Sequence, residues 1–201
     1  MKKLTSLEQE IIASMLTPEQ GIDKNSEFRS IGLFGEIDEE KSGGTIQALL
    51  ERNHVYLQEK TNLKQTIDFY ISTRGGSAED MFAIYDTMQI VKKSCRISTI
   101  GLGKVMSAGV LLLAAGSKGK RKIGQNCRLM IHSVIAGNEG TLPNLENELE
   151  ETKLMQSLYI KALRHETRMS EAKIKRFLDK KLNNYLSAED AIQYGIVDEV
   201  I

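Results

Sequence analysis

The stretch Ile97–Ala115, ISTIGLGKVMSAGVLLLAA, sets the architecture that the rest of the chain must follow. Its first part, Ile97–Leu102, is rich in β-branched and apolar residues and predicts a buried strand. Gly103 follows, and Ser107–Ala115 predicts an apolar helix that begins shortly after the strand ends. A strand that leads through a glycine into a buried helix is typical of α/β proteins.

The same alternation extends in both directions along the chain. Further strands are predicted at Arg29–Ile37, Ile67–Ser72, Arg128–Ile131 and Ile196–Val200. Further helices are predicted at Thr45–Tyr56, Ser77–Lys93, Leu142–Arg168, Ser170–Leu182 and Ser187–Tyr194. Alternating strands and helices predict an α/β domain. The first helix is not opened by Gly-x-Gly-x-x-Gly and the chain has no Walker lysine motif, which disfavours a nucleotide-binding Rossmann or P-loop domain.

The first 27 residues are predicted to form a separate N-terminal region. Residues 5–16 predict a helix, and Thr17-Pro18 and Gly21 then break its pattern. We therefore divide the chain into residues 1–27, a helix and polar linker, and residues 28–201, the main domain.

Charge and composition exclude several classes of partner. The 201 residues include 27 basic and 27 acidic side chains, so the net charge argues against nucleic acid or an anionic membrane. The longest apolar run, Val110–Ala115, is far shorter than a membrane span, and we expect that the first residues are not a signal peptide. Cys95 and Cys127 are expected to be reduced thiols, and no cluster has metal-ligand spacing. We expect a cytoplasmic protein without a metal.

Two motifs lie where predicted strands meet helices. In Arg74-Gly75-Gly76 the glycines allow positive φ and close approach of backbone N–H groups to a ligand, although a plain tight turn is the more usual explanation of two glycines. Ser107 lies at a helix start, where the helix dipole suits a nucleophile that forms an oxyanion, but an N-cap serine is the alternative. Val105 replaces the first glycine of Gly-x-Ser-x-Gly, so the α/β-hydrolase motif is not present.

A histidine completes the candidate set. His132 ends an apolar strand, whereas His54 and His165 lie in charged helical segments and are expected at the surface. Alone, His132 is either a general base or a structural residue. A glycine donor loop, a serine and a histidine together form the parts of a serine hydrolase, which also needs a group that orients the histidine.

The chain resembles the Clp protease proteolytic subunit family, ClpP, over residues 28–201. The order and spacing of many segments make this resemblance specific. These segments are Arg29–Ile37, Phe69–Gly76, Ala83–Gln89, Thr99–Gly109, Leu111–Arg121, Asn126–His132, Tyr185–Ala191 and Tyr194–Asp198.

The resemblance implies a crotonase-like ββα superhelix with a protruding handle, which the long helix from Leu142 matches. The family handle pairs two heptameric rings into a tetradecameric barrel whose active sites face an inner chamber. In the family, an AAA+ Clp unfoldase uses ATP to thread unfolded polypeptides into this chamber. The resemblance therefore implies that this chain itself needs no cofactor. The alternative to rings made of this chain alone is rings that mix this chain with a paralogue.

The resemblance also implies roles for particular residues. Ser107 matches the nucleophile, His132 the general base, and Gly76 and Ala108 the positions whose N–H groups form the oxyanion hole. Counting back from Tyr185-Leu-Ser-Ala188, the triad aspartate is replaced by Asn183.

Asn183 can accept a hydrogen bond from His132 but carries no charge to stabilise the imidazolium, and the equivalent change in a serine protease lowers turnover about ten thousandfold. Asp179, one helical turn earlier, is a weaker candidate for this role.

Other departures bear on substrate and partner. Arg74 replaces a family proline, Val105 and Met106 replace alanines, Ala136 stands where glycine is frequent, and residues 1–27 do not resemble the axial pore loop. The first hypothesis is a Clp-type serine endopeptidase. The alternatives are a catalytically weakened subunit that supports an active paralogue, and a crotonase-superfamily acyl-CoA enzyme, which the pairing of Ser107 with His132 argues against.

Overall fold

A computed structural model describes residues 30–58, 66–137, 139–179 and 183–201. The helix predicted at 5–16, the linker at 17–27 and the first residue of the first predicted strand lie outside the described residues. Within the described ranges, no helix is both long enough and apolar enough to cross a lipid bilayer.

The described residues form an α/β fold, which confirms the predicted class. The strands are β1 Ser30–Ile37, β2 Thr66–Gly76, β3 Arg96–Met106, β4 Arg121–Ile123, β5 Arg128–Ile131, β6 Asn184–Leu186 and β7 Glu199–Val200. The helices are α1 Glu39–Gln58, α2 Ala78–Val91, α3 Ala108–Ala114, α4 Leu142–Glu166, α5 Glu171–Asp179 and α6 Ala188–Gln193. The short strands β4 and β6 were not predicted, because three residues are too few to show a period.

The strands form one sheet in which β3 changes partner along its length. The order is β1-β2-β3-β4-β7 with parallel pairing, while β5 pairs parallel with β3 and antiparallel with β6. Residues Thr99–Gly101 of β3 pair with β4, and Lys104–Met106 pair with β5. Gly103, at φ 64°, lies between the two pairings. The strand thus passes its predicted end at Leu102 and reaches the residue before Ser107.

Helix α1 begins earlier than the sequence pattern predicted. The expected start at Thr45, after Gly43-Gly44, is wrong, because the helix starts at Glu39 and includes both glycines. The Asp38 carboxylate accepts a hydrogen bond from the Lys41 backbone N–H at 2.8 Å and so caps the first turn. Capping and packing against β1 and α2 outweigh the low helix propensity of the two glycines.

Helix α3 is buried between the sheet and α4. All seven of its residues are buried, and it packs against β2, β3 and α4. A Cβ atom on Gly109 would lie 2.4 Å from Cγ2 of Thr73, so glycine at this position lets α3 approach β2 closely. Ser107, immediately before α3, is therefore held between a long strand and a buried helix.

Arg121 joins the ends of several elements. Its side chain is buried, and its Nη2 and Nε donate to the two carboxylate oxygens of Asp198 at 2.6 and 2.9 Å. Its Nη1 donates to the carbonyl oxygens of Glu166 and Gly195, both at 2.8 Å. The C-terminal ends of α4 and α6 are thereby tied to β4. Burial raises the pKa of Asp198, but hydrogen bonds from Arg121 and the Gly119 N–H outweigh burial and lower this pKa to about 2.

Helix α4 is anchored at one end and protrudes at the other. Its C-terminal part is buried at Tyr159, Ile160 and Leu163. Its N-terminal part is exposed, and leucines spaced along it are exposed with it. These leucines, which we call the handle stripe, form two pairs on opposite sides of the helix, Leu145 with Leu149 and Leu154 with Leu158.

The Arg121–Asp198 pair predicts a pH-dependent contribution to stability. We expect Asp198→Asn to lower the free energy of unfolding by about 1–3 kcal/mol at pH 7, because a buried guanidinium loses part of its pairing. The folded-state pKa of about 2 lies below the ordinary value of 3.8, so the carboxylate stabilises the fold above pH 3.8. This contribution is lost as the pH falls from 3.8 towards 2. Urea titrations of the wild type and Asp198→Asn between pH 2 and 7 measure this contribution. A difference in unfolding free energy between the two proteins that stays constant over this range contradicts the role assigned to the Asp198 carboxylate.

Candidate active site

One cavity of about 470 Å³ contains four of the residues predicted for the site. Ser107, His132, Gly76 and Ala108 all line it. Its wall also includes side chains from β2, α2, α4 and the segment after β5. Among them are Arg74, Glu79, Phe82, Ile135, Glu151 and Tyr159.

Ser107 has an unusual backbone conformation. At φ 53° and ψ −122°, it is the only non-glycine residue with positive φ in the described part of the chain. Such a conformation costs on the order of 1–3 kcal/mol and persists only where the surroundings enforce it. The Ser107 side chain makes no capping hydrogen bond to α3, so the N-cap alternative does not describe it. Ser107 instead lines the cavity.

The two glycines of the donor loop pack directly against this turn. Gly75 and Gly76 have φ values of 102° and 153° and form the end of β2, so they are not a plain tight turn. A Cβ atom on Gly75 would lie 2.6 Å from Cβ of Ser107, and one on Gly76 would lie 2.0 Å from the carbonyl oxygen of Ile37. Side chains at either position would push the loop away from the serine or from β1.

His132 follows β5 immediately and is partly buried. Its Nδ1 lies 2.5 Å from the carbonyl oxygen of Ser133. Within the described residues, no hydrogen bond joins the His132 ring to the Ser107 hydroxyl, so the two side chains share the cavity without forming a direct relay. His54 and His165 are exposed, as the sequence predicted.

The two candidates for the third triad position lie outside the cavity wall. The β5–β6 register pairs Ile131 with Asn184, so the next positions along the two chains are His132 and Asn183. Extending the register by one residue would bring Asn183 opposite His132, but Asn183 is exposed and does not line the cavity. Asp179, the last residue of α5, is also exposed and outside the cavity wall.

The departures from the family pattern separate into two groups. Arg74 is exposed and lines the cavity, where it can contact a substrate. Val105 is fully buried, and a Cβ on Gly109 would lie 3.3 Å from its Cγ1. Val105 therefore belongs to the core beneath the turn.

Tyr159 of α4 was missed by the sequence analysis, because helical periodicity does not tell which element a buried face contacts.

Neither a metal nor a cysteine offers a competing centre in the described ranges. No group of three or more His, Cys, Asp or Glu side chains there could hold a metal ion. Burial raises the pKa of the Cys127 thiol to about 11, which opposes formation of the nucleophilic thiolate.

A serine in a positive-φ turn, a histidine and two glycine-rich backbone segments around one cavity have the composition of a hydrolase site on an α/β fold. A family model described as Clp protease matches residues 19–201. The chain belongs to the Clp protease family, which confirms the resemblance inferred from the sequence segments and the fold expected from it.

Because the β5–β6 register, extended by one residue, brings Asn183 opposite His132, we expect Asn183→Asp to raise peptidase turnover at least about tenfold, or ~1.4 kcal/mol of activation free energy. A carboxylate there would hold the productive histidine tautomer and stabilise its cation. Steady-state hydrolysis of a fluorogenic peptide measures the change.

Asp179→Ala is the matched control for Asn183→Asp. If Asp179 orients the histidine instead, Asp179→Ala abolishes activity and Asn183→Asp has little effect. No gain from Asn183→Asp, alone or with a paralogue or unfoldase present, means that the third member of the triad has been misplaced.

Proposed function

We propose that this chain is the proteolytic subunit of a Clp-type ATP-dependent serine protease that cleaves unfolded polypeptides through an acyl-enzyme. The observation that carries the proposal is the positive-φ turn at Ser107, which lines the same cavity as His132, Gly76 and Ala108. The backbone strain and the absence of a capping bond argue that this serine is held for chemistry rather than for helix initiation.

In the proposed mechanism, His132 removes the proton of the Ser107 hydroxyl as Oγ bonds to the peptide carbonyl carbon. The N–H groups of Gly76 and Ala108 donate to the oxyanion that forms. The first N–H groups of a helix have no partner within the helix, so the Ala108 N–H at the start of α3 suits this role. His132 then protonates the leaving amine, the peptide C–N bond breaks, and water hydrolyses the ester.

The histidine must move for this mechanism to operate. Its Nδ1 now faces the Ser133 carbonyl, and a productive orientation requires Nε2 to reach Ser107 while Nδ1–H donates to Asn183. We propose that the His132 side chain rotates and that the segment after β5 adjusts with it, because the β5–β6 register, extended by one residue, brings Asn183 opposite His132.

We further propose that the handle stripe is an assembly surface. Four exposed leucines along one helix are costly in water and are expected to be buried against another copy of the chain. Heptameric rings paired into a tetradecamer, within the cytoplasm, would enclose the cavities. An AAA+ Clp unfoldase would use ATP and deliver the polypeptide.

A second candidate function is favoured by the missing relay between Ser107 and His132 and by the uncharged Asn183. In this alternative, the chain is a weakened subunit that assembles with an active paralogue. Titration of the chain against such a paralogue separates the two: an active subunit adds Ser107-dependent turnover, whereas a weakened one changes only the paralogue's activity. The acyl-CoA alternative is not retained, since the chain belongs to the Clp protease family.

The nucleophile can be tested directly. We expect Ser107→Ala and His132→Ala each to abolish peptide hydrolysis, and the double variant to be little worse, since the two residues act as a unit. A fluorophosphonate probe followed by peptide mapping should label Ser107 in the wild type. His165→Ala, which removes an exposed histidine, is the control and should retain activity. Undiminished hydrolysis by Ser107→Ala rules out the serine mechanism.

The assembly surface has its own test. Leu149→Glu places a charge in the middle of the handle stripe, so we expect the particle to shift from two paired rings to single rings. Light scattering and sedimentation measure the mass. Glu150→Gln, an exposed change on the same helix, should leave the mass unchanged. A wild-type protein that sediments as a stable monomer contradicts the proposed barrel.

A further inference from the structure

Tyr159 makes a hydrogen bond to the backbone of the nucleophile. Its side chain comes from the anchored part of α4, is almost completely buried and borders the cavity. The Tyr159 hydroxyl donates to the carbonyl oxygen of Ser107 at 3.0 Å. Burial raises the pKa of Tyr159, so the hydroxyl keeps its proton and remains a donor at neutral pH.

The acceptor of this bond belongs to the peptide unit that joins Ser107 to Ala108. The same carbonyl oxygen accepts a second hydrogen bond from the Val110 N–H at 3.0 Å. A trans peptide is planar, so its C=O and N–H point in opposite directions and fixing one fixes the other. The N–H of this unit belongs to Ala108, which lines the cavity. Tyr159 therefore holds the carbonyl side of the peptide whose N–H is the proposed oxyanion donor.

We propose that Tyr159 is a positioning residue that orients the Ser107–Ala108 peptide as an oxyanion donor. This inference rests on the proposed serine protease function. The hydroxyl acts in two ways: it opposes rotation of a strained peptide, and it polarises the carbonyl, which makes the Ala108 N–H a stronger donor. Both effects matter most when negative charge develops on the substrate oxygen, so they should appear in kcat rather than in KM.

Tyr85 provides a matched control within the same chain. Its hydroxyl also donates to a buried acceptor, Oε1 of Glu166, at 3.1 Å. Tyr85 does not line the cavity and, among the described residues, makes no hydrogen bond to the Ser107 turn. Tyr85→Phe and Tyr159→Phe therefore each remove one buried hydroxyl, but only the second changes the peptide next to the nucleophile.

The experiment compares wild type, Tyr159→Phe and Tyr85→Phe as assembled full-length chains, with particle mass and thermal midpoint recorded for each. We expect Tyr159→Phe to lower kcat about five- to tenfold with KM unchanged, as suits loss of one hydrogen bond that matters in the transition state. Affinity for a peptide boronic acid, whose adduct places an oxygen in the oxyanion position, should fall by a similar factor. Tyr85→Phe should retain both kcat and boronate affinity, whatever its effect on the thermal midpoint.

The outcomes separate failure of the Tyr159 positioning role from failure of the serine protease function on which it rests. Unchanged kcat and boronate affinity in Tyr159→Phe overturn the positioning role, as does an equal loss in Tyr85→Phe or a loss confined to KM. If Tyr159→Phe fails to assemble while Tyr85→Phe assembles, Tyr159 is structural and the inference is also overturned. Ser107→Ala run alongside reports on the function: if it hydrolyses peptide as fast as wild type, the serine protease proposal fails and the inference fails with it.

Discussion

The site depends on a backbone constraint at one residue, the positive φ of Ser107. Strand β3 ends at Met106 and the buried helix α3 begins at Ala108, so the chain must change from strand to helix at the single residue Ser107. The neighbouring positions make room by having no side chain, since a Cβ on Gly75 or Gly109 would lie 2.6 or 2.4 Å from the nearest side-chain atom. Hydrogen bonds then hold both sides of the residue: its N–H donates to the Met130 carbonyl, and its carbonyl accepts from Tyr159 and Val110.

The constraint at Ser107 is linked to the rest of the fold through α4. Arg121 accounts for part of this link, because its guanidinium binds the carbonyl of Glu166 at the end of α4 and the carboxylate of Asp198. The Glu166 side chain is itself 1% exposed and lies near the ammonium groups of Lys92 and Lys118, so its buried charge is compensated. A polar cluster distant from the cavity thus fixes the helix that carries Tyr159.

The sequence predicted which residues meet at the cavity better than it predicted the backbone geometry around them. Ser107, His132 and the glycine pair were singled out because candidate nucleophiles, bases and donor loops use few residue types at strand ends. The start of α1 was predicted wrongly because Gly43-Gly44 resembles a break, whereas the cap supplied by Asp38 and contacts with α2 decide the outcome. Tyr159 carried no local signal, since its partner is 52 residues away. No local sequence pattern relates Asn183 to His132. Their proximity is inferred only from the β5–β6 register, extended by one residue.

Helix α4 also relates assembly to catalysis through simple geometry. Leu149 of the handle stripe lies ten residues before Tyr159 on the same helix, which is about 15 Å along the helix axis. A helix of this length transmits a shift or a tilt with little bending. Pairing of two rings through the stripe would therefore bear directly on the peptide that Tyr159 holds. In the single chain no hydrogen bond joins His132 to Ser107. This is consistent with a site that is completed by assembly, because Tyr159, proposed to position an oxyanion donor, and the proposed assembly surface share one helix.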